Sequence, residues 1–388
     1  MSLSFIREKD DRDKPIDFIL SDADRQIIAN AGDDKFKASK SGISYVGYDT
    51  LTGIPLGQYI KVDTLINANT FTFYRYKPGD TLAVYQVTFS FVGSGKGDYI
   101  SLSTTTFKFA GIGQGSYLPI VFFPLPLLYQ SGDLDINLKL SKSFSLNVET
   151  AVSDFDRNLF SSNDDTENKG LALNSSLSFN KDKLKIGNLN LGRIEVLLRQ
   201  RFINKLYNSI DRLNRVEYDR VWDIQDSSRQ TENISEAELK ISPKEYFTMS
   251  ASGGRIKRGN NFNSLRGSLY INFIGDSLSL PALNYYADYI SSKDNAVDYK
   301  GIWIRQKGTL DYKIIPWRKK FGTYNFLFQL NGEDKQAKSL NTDTALIGSF
   351  RYYEFIPKFI VTNFFNFDFS YVFIYRFDDL YNAGSLTR

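Results

Sequence analysis

From Phe359 to Phe377 the chain alternates with a period of two. Phe365, Phe367, Phe369, Tyr371, Phe373, Tyr375 and Phe377 take the odd positions, while Asn366, Asp368, Ser370 and Arg376 interrupt the even ones. A strand sends successive side chains to opposite faces, so the pattern predicts one aromatic face and one mixed, partly charged face. The run exceeds the usual strand of roughly five or six residues. A tilted strand that crosses a membrane uses roughly 9–11 residues, so this run has room for a crossing and a projection beyond it.

The alternation recurs from 131 onward. Leu134, Ile136, Leu138 and Leu140 stand against Asp135, Asn137 and Lys139; Ile194, Val196 and Leu198 against Arg193, Glu195 and Arg199. Ala237, Leu239 and Ile241 stand against Glu236, Glu238 and Lys240, and Leu310, Tyr312 and Ile314 against Asp311 and Lys313. Counting strand-turn-strand segments predicts about 12–14 meandering strands. Short turns are expected near 141–143, 181–188, 242–245, 274–276, 315–322 and 356–358, and longer polar loops near 155–168, 204–231, 255–263, 290–298 and 331–342. Short turns on one side and long loops on the other is the asymmetry of outer-membrane barrels. Mid-strand Arg193, Arg305, Lys307 and Asp311 suit a wet lumen, since Arg or Lys facing hydrocarbon costs roughly 2–4 kcal/mol at the midplane. The expected fold is all-β: an antiparallel transmembrane β-barrel, or a segment of one, over 131–388.

Residues 1–130 read differently. Ser21 as a cap, Asp24 three residues on, apolar Ile27 and Ile28, and Gly32 as a stop predict a helix over 21–31. Strands follow near 43–49, 57–62, 70–77, 81–92 and 99–110, giving a small β-rich domain with one short helix. Pro124 and Pro126 make 111–130 an extended connector. The string Gly93-Ser94-Gly95-Lys96-Gly97-Asp98 is not a phosphate loop, because Ser90 and Gly97 stand where that motif needs Gly and Ser or Thr.

Composition narrows the chemistry. With 31 Phe and 24 Tyr against 3 Trp, the chain has the aromatic supply of a sheet with an apolar outer face. It has neither Cys nor His, which excludes Ser-His-Asp triads, Cys-His dyads and the usual zinc sites. A net charge of +4 is too small to point to nucleic acid. No apolar run is long enough for a transmembrane helix, and Met1–Asp11 lacks the apolar core of a signal peptide. The tail from Asn382 to Arg388 is polar. These ends lead to the expectation of an open barrel fragment whose edges, near 134–140 and 359–377, pair with further strands or a partner chain.

Three stretches carry a resemblance: the string from Tyr85 to Asp98, the string from Gly113 to Pro119, and the series Asp154, Asp156, Asn158, Ser161, Asp164, Asp165, Asn168, Gly170 and Ala172. They resemble large outer-membrane β proteins of the Bacteroidetes–Chlorobi lineage and, distantly, the gliding-motility barrels that serve as the type IX secretion translocon. The resemblance implies an outer-membrane address and a part in protein export.

Among candidate sites, Asp154, Asp156, Asp164, Asp165 and Glu167 are hard oxygen ligands in one loop and are calcium candidates, without the spacing or central Gly of a helix-loop-helix site. Trp317 suits one interfacial belt, and Tyr285, Tyr286 and Tyr289 the opposite one. Arg255, Lys257 and Arg258 read as a loop charge cluster. No catalytic residue and no cofactor is expected. The leading expectation is a non-enzymatic outer-membrane protein, its aromatic stripe against lipid, acting in passage, protein export or surface anchoring. The alternatives are a soluble extracellular β-sheet adhesin or glycan-binding protein, and a carboxylate-dependent glycan-acting enzyme, which needs two facing carboxylates.

Overall fold

The computed structural model describes every residue except 17–18, 67–68, 276–279, 317–320, 383–384 and 388, so Trp317 lies outside the described residues. The fold is all-β, built from antiparallel sheets. Its contacts divide the chain into two units: Met1–Ile6 with Ser131–Ser153 and Gly170–Arg388, and Arg7–Gln130 with Asp154–Lys169. The division departs from a single cut after residue 130 in two places. The first residues join the unit of the large sheet, and Asp154–Lys169, which holds the acidic loop, joins the smaller unit.

The large sheet is mostly a meander, its strands bonding to their neighbours in chain order, except that the two short strands Phe367–Val372 and Tyr375–Asn382 both bond to Phe350–Phe364. Its strands are β1 (Ser2–Lys9), β2 (Leu128–Lys139), β3 (Phe144–Asp156), β4 (Lys169–Ile186), β5 (Leu189–Ile203), β6 (Glu232–Lys244), β7 (Phe247–Arg258), β8 (Phe262–Phe273), β9 (Ala282–Asp294) and β10 (Tyr299–Ile314). It continues through β11 (Phe321–Lys338), β12 (Phe350–Phe364), β13 (Phe367–Val372), β14 (Tyr375–Asn382) and β15 (Ser385–Thr387). Among the described residues the path is open, with β1 at one end and β15 at the other, so no closed barrel forms.

Register turns the alternation into two chemically distinct faces. One row of directly opposed residues runs Ile194, Ile241, Met249, Ile271, Tyr285, Gly308, Leu330, Phe355 and Tyr375. The row one residue along, on the other face, runs Glu195, Lys240, Ser250, Tyr270, Tyr286, Lys307, Asn331, Glu354 and Arg376. Ion pairs tie the polar row together at its ends, Lys240 to Glu195 at 3.5 Å and Arg376 to Glu354 at 3.8 Å.

Several boundaries differ from the sequence reading, for identifiable reasons. The stretch 359–377 is not one strand: β12 ends at Phe364 and turns through Phe365 and Asn366, both at positive φ, as is Asn363. Beyond the turn, Phe367, Phe369, Tyr371, Phe373, Tyr375 and Phe377 do keep the period of two, since β13 and β14 face β12 in one register. The break between them falls opposite Pro357, which has no N–H to offer there while its carbonyl accepts from Phe373. The expected turn at 356–358 is therefore mid-strand. The expected loops 255–263, 290–298 and 331–342 are largely strand, with tight connections left at 259–261 and 295–298. Near these ends both faces turn polar, so the apolar alternation stops while the backbone ladder continues. Long connections remain at 157–168, 204–231 and 339–349. One expected edge differs: β1 precedes β2, and Ser4 Oγ donates to Asp133, so 134–140 is not an edge, whereas β13, within 359–377, pairs only with β12 among the described residues.

In the smaller unit the expected helix forms as α1 (Asp22–Ala31), with Ser21 and Asp24 in a reciprocal capping box. Ile28 and Ala31 pack with Ala38 and Phe123. The strands expected at 81–92 and 99–110 are interrupted, each splitting into short pieces. A repeat explains the interruption. Phe91-Val92-Gly93-Ser94-Gly95-Lys96-Gly97-Asp98-Tyr99 and Phe109-Ala110-Gly111-Ile112-Gly113-Gln114-Gly115-Ser116-Tyr117 share one Gly and aromatic spacing, and the two copies cross. Gly115 N donates to Gly97 O at 2.7 Å, Gly97 N returns to Gly115 O at 3.2 Å, and Asp98 N and Ser116 N bond to Tyr117 O and Tyr99 O. A Cβ on Gly97 would stand 2.3 Å from Tyr117 N, and one on Gly115 would stand 2.2 Å from Tyr99 O. Gly97→Ala is therefore expected to cost about 2–3 kcal/mol. Gly53→Ala, with open space around it and only its φ of +66° to strain, should cost about 1 kcal/mol. Denaturant unfolding of the full chain measures both, and equal losses would contradict the crossing as the reason for the glycine.

Candidate functional site

The polar face of the large sheet carries the site, because the connection 204–231 lies across it from β3 to β11. At one end Asn208 N donates to Ser153 on β3 at 2.9 Å, and Gly170 on β4 sits where a Cβ would strike the Tyr207 backbone. At the other, Arg220 meets Glu333 on β11 at 3.1 Å and Asp223 meets Lys335 on β11 at 2.8 Å. A five-residue helix, α2 (Tyr218–Trp222), ends at Asp223 in the left-handed conformation, φ 56° and ψ 44°.

Three groups fasten this segment. Trp222 and Ile224 pack with Ile234, Ile256 and Phe262 in a buried cluster. Gly254 lies opposite Trp222, where a Cβ would approach the indole to 3.0 Å. Asp223, 2 % exposed, binds Lys335 and also accepts from Ser292 Oγ at 2.6 Å and Tyr299 OH at 2.7 Å. Glu232 accepts from Tyr218 OH and from Arg258 Nε, each at 2.7 Å, while Arg258 caps the carbonyls of Asp226 and Ser228. Burial, reinforced by the neighbouring Glu232 carboxylate, pushes the Tyr218 phenol up, so it stays a hydrogen-bond donor. Asp226, held by Ser228, has a carboxyl below its usual range.

Further along the same face Asp288, also 2 % exposed, is gripped by Arg266 Nε at 2.9 Å and by Arg305. Trp303 is flanked by Arg220, Arg305 and Lys335 over its ring, and its indole N–H donates to Glu333 at 3.2 Å. Between the segment and β3–β8 lies a cavity of about 810 Å³.

The sequence candidates fall elsewhere. Phe367, Phe369, Tyr371, Phe373, Tyr375 and Phe377 lie in or beside β13 and β14, and Phe365 in the preceding turn. Tyr285 and Tyr289 are on the apolar face, with Tyr285 OH donating to Gln306 at 3.1 Å, whereas Tyr286 is on the polar face, within 3.3 Å of Arg266. Four of the calcium candidates accept local hydrogen bonds, Asp154 from Gln130, Asp156 from Asn158 N, Asp164 from Asp33 N and Asp165 from Asn168, while Glu167 ends a single helical turn, Asp165–Glu167. Among the described residues no group of three or more carboxylates converges to hold a metal ion. Arg258 is not part of a solvated loop cluster; it is 6 % exposed at the end of β7 and paired with Glu232. The segment 204–231 was legible only as a long polar loop. Its Tyr218, Trp222 and Ile224 among charged residues were the available sign that it packs against something.

No protein-family model matches the chain, and no curated protein matches it.

Removing Asp223 would leave Lys335, only 16 % exposed, without its carboxylate. Asp223→Ala is therefore expected to weaken the hold on the segment by about 3–5 kcal/mol, with Asp223→Asn less severe because it keeps an acceptor for Ser292 and Tyr299. Trypsin cleavage at Arg212, Arg215 and Arg229 reports this. Unchanged cleavage in Asp223→Ala would show that the apolar cluster alone secures the segment.

Proposed function

We propose that the large sheet is the wall of an outer-membrane protein, with its apolar face against lipid and its polar face, covered by 204–231, enclosing a blocked aqueous interior. The observation that carries this is the pair of adjacent rows across β5–β14, one apolar throughout and one polar throughout. Much of the apolar row's face is exposed, with Phe326 at 48 %, Phe328 at 40 %, Leu239 at 41 % and Tyr371 at 65 %, while Ile194 and Val361 on that face are buried. At ~4.8 Å between strands the band is on the order of 40 Å wide, and about six residues of height give it on the order of 800 Å². The largest apolar patch of a typical soluble monomer is about 300–600 Å².

Strands β4, β5, β10, β11 and β12 run well past the roughly 9–11 residues of a crossing. The polar extensions at their ends suit projection into water. An unpaired edge is not tolerated in hydrocarbon, so the reading requires β1 and β15 to pair with each other or with another chain. Passage, protein export or surface anchoring are the roles such a wall serves. The implied likeness to the gliding-motility barrels favours export.

The absence of Cys makes single-cysteine labelling direct. In membranes, a water-soluble maleimide should label Ser250→Cys on the polar face and leave Ile271→Cys unlabelled, while a nitroxide lipid should quench a fluorophore placed at 271. The protein should need detergent for extraction. Recovery as a water-soluble monomer, with 250 and 271 equally reactive, would favour the adhesin reading instead.

A further inference from the structure

The cavity under 204–231 has a composition that the wall reading does not require. One part is apolar: Leu213, Val216, Val221, Trp222 and Ile234. Beside it stand the guanidiniums of Arg199, Arg201, Arg215 and Arg266 and the carboxylates of Glu149, Glu217 and Glu236. Most of these charges are matched. Arg199 lies 3.6 Å from Glu236, Arg266 binds Asp288, and Glu217 lies 3.5 Å from Arg220.

Two cations are left over. Arg201 is partly buried, yet its partners are neutral: Asn214 Oδ1 at 2.7 Å and the ring of Tyr218 at 5.8 Å. Arg215 has no side-chain partner among the described residues and stands at the exposed rim. Against them only Glu149 lacks a cation, and it accepts from Asn174 at 3.3 Å. A partly buried guanidinium without a carboxylate is costly unless an anion reaches it, and its planar fork matches a carboxylate with two parallel bonds. The volume, about 810 Å³, is in the usual range of roughly 300–1,000 Å³ for small-molecule sites.

We infer that this cavity binds a small organic acid with an apolar body, its carboxylate between Arg201 and Arg215 and its body along Leu213, Val221 and Trp222. This assignment does not rest on the membrane reading, because the cavity is formed by one face of the sheet and its own connection.

Equilibrium dialysis of the full-length protein against 4-phenylbutyrate tests it, with 4-phenylbutanol as the uncharged probe of the same body. Saturable binding of the acid at one site, absent for the alcohol, is expected. Arg201→Gln and, separately, the exposed Arg215→Gln should each weaken it about tenfold. Near-ultraviolet circular dichroism confirms that each variant keeps its fold, and Arg215→Gln guards against misfolding at the buried position. No saturable binding of the acid, equal binding of the alcohol, or unchanged affinity in a folded Arg215→Gln and Arg201→Gln would overturn the assignment.

Discussion

Everything in the large unit depends on strand register. Because side chains alternate with a period of two, a slip by one residue between any two neighbours would carry Glu195, Lys307 or Glu354 into the apolar row and Ile194, Gly308 or Phe355 into the polar one. The penalty acts at every ladder from β4 to β14, so each pairing fixes the next. That explains why long strands with few bulges are stable here without a conventional two-sided core. The shifts that do occur lie at the hairpin ends, between Lys181 and Leu184 on β4, between Ile241 and Lys244 on β6 and between Val361 and Phe364 on β12.

The connection 204–231 exists in its observed form because the polar face is charged. Asp223, Glu232, Arg258 and Asp288 are each under a tenth exposed, and burying a charge is tolerable only when it is paired and hydrogen-bonded. Each is: Asp223 by Lys335, Ser292 and Tyr299, Glu232 by Arg258 and Tyr218, Asp288 by two arginines. The segment supplies Asp223 and Tyr218, and the sheet supplies the rest. Segment and face therefore complete one another's hydrogen bonding, and the buried Trp222 cluster places α2 where those bonds can form.

How much of this was legible follows from what each signal measures. The period of two gave the all-β fold, the two faces and most of the strands, because half-buried strands impose it directly. It failed where its cause was missing: at the ends of β7, β9 and β11, where both faces are polar, and at β1, whose charged residues hid a strand. Pro357 misled in the opposite sense, since a proline in a run normally ends it. Here the missing N–H faces the gap between β13 and β14, where no partner is lost. The site was barely legible. Asp223 and Lys335 are far apart in sequence, and no local pattern marks a pair brought together by a connection crossing nine strands.

The smaller unit shows the limit of local reading most clearly. Gly93 to Asp98 reads as a turn when taken alone, and Gly111 to Ser116 as the start of an extended connector. Taken together they are two copies of one spacing, with Gly93 and Gly111 at φ +106° and +116° and Gly95 and Gly113 at +69° and +66°. Matching backbone angles in matching positions mean that each copy's conformation is set by the other. The third glycines, Gly97 and Gly115, bring the two backbones into contact, and the closing tyrosines, Tyr99 and Tyr117, pair in register. A glycine run that reads as flexibility in one dimension is thus a steric requirement in three. Gly57 repeats the arrangement against Tyr85, which makes close approach of an aromatic-bearing backbone the shared design of this unit.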